Sequence, residues 1–85
     1  MPYIEPQRRS RFKKAIGDLI GQIEGVGDLN YVISLLVRKY VKFKSPVSYD
    51  LLNEVVGVFE SAKLEFYRTV VVPFEKTKII ENGDI

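Results

Sequence analysis

The apolar positions of this chain recur at helical intervals along most of its length. Phe12, Ile16, Leu19, Ile20 and Ile23 follow one another at spacings of four, three, one and three, which is one face of a helix. The pattern predicts a first helix over residues 7–24, broken by Gly25-Val26-Gly27-Asp28. Gly25 suits the end of that helix, and Asp28 suits the cap of the next through its carboxylate.

A second helix is predicted over 29–43, with Leu29, Val32, Ile33, Leu36, Val37 and Tyr40 as its stripe. Lys44-Ser45-Pro46-Val47 reads as a connector and Ser48 as the cap of a third helix over 49–72. Leu52, Val55, Val56, Phe59, Ala62, Phe66 and Val70 form its apolar face, and Pro73 is expected to end it. Gly57 falls inside it at a cost of ~1 kcal/mol against Ala, which suggests either a close pass by another helix or a partner chain or, as the plainer reading, a tolerated glycine. Residues 1–6, with prolines at 2 and 6, read as an extended arm. Residues 73–85 read as a tail, weakly alternating from Phe74 to Ile80, with a turn at Glu81-Asn82-Gly83-Asp84.

Connectors this short imply antiparallel neighbours, so the expected fold is all-α: one domain, an up-down-up three-helix unit with short extended arms. The third helix would be about 36 Å long and the second about 23 Å. The excess length has nothing to cover it within the chain, and exposed apolar area of that kind usually marks an interface. A homo-oligomer is expected, with Tyr3, Ile4, Gly57, Phe66, Tyr67, Val70 and Phe74 at its interface.

Composition removes whole classes of chemistry. The chain holds no cysteine and no histidine, so thiolate nucleophiles, disulfides, the usual zinc sites and imidazole acid–base catalysis are absent. Its eleven acidic residues include no Asp-x-Asp or Glu-x-x-Glu grouping, so neither a metal site, a cofactor nor an enzyme is expected. No apolar run approaches the ~20 residues of a membrane span. A cytoplasmic location follows as the expectation.

The net charge of +2 says little, but its placement says more. Arg8, Arg9, Arg11, Lys13 and Lys14 open the first helix; Arg38, Lys39, Lys42 and Lys44 close the second. In an antiparallel hairpin these cations gather at one pole, with Asp18, Glu24 and Asp28 at the other. Cations at the end of a helix suit its dipole, whereas those at the start oppose it. The first cluster is therefore either a binding feature or a solvated face that aids solubility. As a binding feature it would take an anion, helped by the Ser48 hydroxyl and the free N–H groups that open the third helix. Tyr40, Phe43 and Tyr49 add aromatic surface suited to base stacking. The candidate anion-binding residues are Arg8, Arg9, Arg11, Lys39, Lys42, Ser48 and Tyr49. Glu60–Lys63 and Glu65–Arg68 are expected as ordinary surface ion pairs.

Several strings carry a resemblance: Met1-Pro2-Tyr3-Ile4, Gly27-Asp28-Leu29-Asn30-Tyr31-Val32-Ile33, Asn53-Glu54-Val55-Val56-Gly57-Val58, Lys63-Leu64-Glu65-Phe66-Tyr67-Arg68 and Glu81-Asn82-Gly83-Asp84. Together they resemble a family of short uncharacterised proteins of phages and scattered bacteria and archaea, over nearly the whole chain. Thr69-Val70 departs from the second arginine usual after Arg68, and Phe74 stands where tyrosine is more usual. The resemblance implies size and distribution, and no activity. In size and architecture the chain is also similar to oligomeric phage sponges that trap cyclic nucleotide signals, an analogy that transfers no site residue.

Three functions remain as expectations. The first is a non-enzymatic oligomer that sequesters an anionic, nucleotide-like ligand. The second is a nucleic-acid-binding accessory protein that uses the same pole. The third is a protein–protein adaptor or inhibitor of a host enzyme that uses the apolar end of the third helix.

Overall fold

The computed structural model describes residues 4–84, and among them every regular element is helical. The chain divides into two units, Met1–Ser45 and Pro46–Ile85.

In the first unit, α1 spans Pro6–Ile20. Pro6 sits at its start, where a missing N–H removes no helical bond. The helix ends four residues before the predicted Glu24. Gly17 and Gly21 weaken its last turn, and the ladder tightens to three-residue bonds, Gln22 N–H to the Leu19 carbonyl at 2.9 Å and Ile23 N–H to Ile20 at 3.2 Å. Helix α2 spans Val26–Phe43, starting three residues before the predicted Leu29 and ending as predicted. Gly25 is its extended cap residue. Asp28 acts from inside the first turn, where its carboxylate accepts the Glu24 backbone N–H at 2.9 Å. That reach backwards moves the helix start ahead of the acid.

In the second unit, α3 spans Tyr49–Phe66, and the Ser48 hydroxyl oxygen accepts the Leu51 N–H at 3.2 Å, the predicted cap. The chain then corrects two expectations. Pro73 does not end the helix, and the tail is not extended: a π-helical turn over Tyr67–Val71 leads into α4, Val72–Asn82. Thr69 is the local cause. Its hydroxyl donates to the Glu65 carbonyl at 2.7 Å, taking an acceptor that the α ladder would use. The ladder lengthens to five-residue bonds, with the Val72 N–H on the Tyr67 carbonyl. Pro73 follows at the start of α4, where it has no helical N–H bond to lose. Gly83, at φ +82°, closes α4 in the left-handed region that glycine adopts without strain.

No described side chain is buried. The predicted apolar stripes are present on the helices, but they stand open. Within the first unit α1 and α2 do not pack flank to flank, so the expected hairpin is not closed there. Amphipathic helices of this length draw most of their stability from covering such a face.

Candidate functional site

The first basic cluster rises from the opening turns of α1, where no acidic residue occupies the first turn. Arg9 donates from Nε to the Ile4 carbonyl at 3.4 Å. Lys14 pairs with Asp18 at 3.1 Å, one helical turn on. Arg8, Arg11 and Lys13 are exposed, and their side chains make no hydrogen bond or ion pair with another described residue. Of these, Arg8 stands in the first turn and opposes the α1 dipole without a partner among the described residues.

The second cluster closes α2. Lys44 lies 5.9 Å from the Tyr40 ring centre and 5.6 Å from that of Phe43, so the expected interleaving of cation and aromatic exists there. Arg38, Lys39 and Lys42 are exposed and lack an ionic partner among the described residues. Because α1 and α2 are not packed together, their cations form two clusters within the unit and not one pole.

Ser48 and Tyr49 belong to the second unit. Ser48 is committed as an acceptor to Leu51, which leaves its hydroxyl proton available. Tyr49 opens α3 and is 85% exposed.

The expected interface residues are equally specific in their placement. Phe66, Val70 and Phe74 are 52%, 53% and 60% exposed. Ile4 is half-buried, and Tyr3 lies outside the described residues. A Cβ on Gly57 would meet nothing within 4 Å, so no described part of its own chain passes close there. Tyr67 donates its hydroxyl to Glu75 Oε1 at 3.1 Å. That bond, then the carboxylate's charge, then slight desolvation hold the phenol above its ordinary pKa. The predicted Glu60–Lys63 and Glu65–Arg68 pairs are present at 3.5 and 2.5 Å.

One grouping escaped the sequence reading. Asn30, Tyr31, Ser34, Leu35 and Arg38 line a shallow hollow on α2. Its signal was the i, i+4, i+8 ladder Asn30–Ser34–Arg38, masked by the stronger apolar stripe on the same helix. Among the described residues no set of three or more acids could hold a metal ion. No helix among the described residues is long and apolar enough to cross a membrane.

A protein-family model described as Domain of unknown function (DUF6899) matches residues 1–85. No curated protein and no solved structure matches the chain.

Proposed function

We propose that this chain, which belongs to the DUF6899 family over residues 1–85, is a non-enzymatic, self-associating helical protein that takes up an anionic, nucleotide-like ligand. The observation that carries the reading is the pairing of open apolar stripes with unpartnered cations: no described side chain is buried, and Arg8, Arg11, Lys39 and Lys42 have no ionic partner among the described residues.

Each unit is about forty residues, the size below which disulfides, metals or oligomerisation usually supply the missing stability. Without cysteine or histidine, disulfides and the usual zinc sites cannot supply it, which favours oligomerisation. Closing α1 on α2 in the up-down sense, as part of assembly, would cover Phe12, Ile16 and Leu19 and bring the two basic clusters together. Cations held near one another in that way repel until an anion neutralises them, which is the physical basis for ligand uptake. Lys44 beside the Tyr40 and Phe43 rings supports this reading, since cations interleaved with aromatic surface suit a phosphate and its base.

The test uses a fluorescently tagged adenine nucleotide with the wild-type chain and the double variant Arg8→Glu, Arg11→Glu. The reading expects binding that falls at least tenfold in the variant while the assembled mass stays the same. Equal binding by both proteins would remove the α1 cluster from the site. Tight binding of single-stranded nucleic acid with a steep salt dependence, in place of the nucleotide, would move the function to the nucleic-acid class.

A further inference from the structure

We infer that the long helical segment of the second unit pairs with the same segment of a second copy, antiparallel, along Leu52, Val55, Phe59, Ala62, Phe66, Val70 and Phe74. The inference rests on the self-association just proposed and adds its seam, direction and register.

The π-helical turn makes the seam continuous. The apolar residues follow at spacings of three, four, three and four up to Phe66, then four and four to Phe74. Phe66 to Phe74 is thus eight residues where a heptad has seven. In an unbroken α-helix one extra residue rotates every later side chain by about 100°. The turn over Tyr67–Val71 absorbs that residue, so Phe74 returns to the stripe of Phe59 and Phe66. A helix that served only to end the chain gains nothing from this correction. A seam that continues past Pro73 depends on it.

Charge selects the direction. Residues 49–60 carry Asp50, Glu54 and Glu60 and no cation. Lys63, Arg68, Lys76 and Lys78 all follow, among Glu65, Glu75 and Glu81. A parallel pair sets the acidic halves side by side, whereas an antiparallel pair sets each against the half that carries the cations.

Size selects the register. With the two-fold axis beside Leu64, Phe66 of one copy meets Ala62 of the other, Phe59 meets Val70 and Phe74 meets Val55. Each phenylalanine faces a smaller residue, the alternation by which facing layers interdigitate. Lys63 and Glu65 flank the axis, and each is already engaged within its own chain, by Glu60 and Arg68, which limits repulsion between copies. A seam ~36 Å long and ~10 Å wide removes roughly 700 Å² from water over the two copies, the size of a weak contact that dissociates on dilution.

The wild-type chain allows a test without substitution. Unlabelled and nitrogen-15-labelled protein are mixed, equilibrated and treated with a short amine-reactive cross-linker. The antiparallel register places Lys63 within about 3 Å, along the axis, of its counterpart, so a mixed-isotope Lys63–Lys63 link is expected. Because the chain has no cysteine, single-cysteine variants give a second reading. Lys63→Cys should form a disulfide with itself, and Leu52→Cys should do so with Thr77→Cys when the two are mixed. Leu52→Cys alone should not, since its two copies lie about 36 Å apart. Self-linking of Leu52→Cys would overturn the direction. Absence of every expected link in a sample whose native mass is oligomeric would overturn the seam while leaving self-association standing. A monomeric native mass would remove both.

Discussion

Tyr67 and Glu75 share one face of the last helical segment, the phenol donating to the carboxylate at 3.1 Å although eight residues separate them. Eight α-helical steps would leave the two side chains about 80° apart. The π-helical turn that begins at Tyr67 removes most of that angle, so the bond is a direct reporter of the turn.

The reporter can be read by titration. Glu75 raises the Tyr67 pKa above the ordinary value near 10. A pKa raised on folding stabilises fully below the unfolded value and is lost as pH rises through the folded one. Ultraviolet titration should therefore show a tyrosinate step above pH ~10, with loss of helix signal around it. Tyr67→Phe should delete that step and Glu75→Gln should lower it. A titration identical in wild type and Tyr67→Phe would contradict the bond.

Pro73 gives a second measurement. Proline in a helix interior costs ~3 kcal/mol against alanine, but at the start of α4 it has no helical bond to break. Pro73→Ala should change stability in urea by less than ~1 kcal/mol. A gain near 3 kcal/mol would mean that the α ladder runs through this position without the π turn.

At the other end of the segment, Ser48 caps α3 through the Leu51 N–H. Ser48→Ala should cost about 0.5–2 kcal/mol, and Ser48→Asp should restore most of it, as read by thermal unfolding. An unchanged melting point in Ser48→Ala would remove the cap.

How much of this was legible beforehand follows from the physics of each signal. Ser48 as a cap, Phe43 as the end of α2 and the i,i+3 ion pairs were legible because each depends on neighbours within one turn. Pro73 misled, because the rule for a proline inside a helix assumes an α ladder, and the Thr69 hydroxyl had already redirected that ladder at Glu65. The helical tail was hidden with it. Asp28 was recognised as a capping acid but given the wrong position, since a carboxylate can serve from before the helix or from its first turn. The candidate site was legible as two runs of cations along the chain. Their union into one pole was expected from the short connector and is not made within the unit, because it depends on α1 meeting α2, a contact no local pattern encodes.

The apolar seam carries a thermodynamic prediction of its own. A phenylalanine left in water on a monomer changes stability by less than ~0.5 kcal/mol when cut to alanine, whereas one covered at an interface costs ~3–5 kcal/mol. Phe66→Ala should weaken assembly at least a hundredfold, measured by sedimentation equilibrium. Val58→Ala, also exposed but off the seam, should change it little. Equal effects of the two would point away from the Phe59–Phe66–Phe74 stripe.

The central claim is that these open stripes are closed by copies of the same chain. Native mass spectrometry across a hundredfold range of protein concentration, with far-ultraviolet circular dichroism on the same samples, tests it most directly. The account predicts a dimer or larger assembly that dissociates on dilution, with helix signal falling as it does. A monomer at every concentration, with undiminished helix signal, would contradict it.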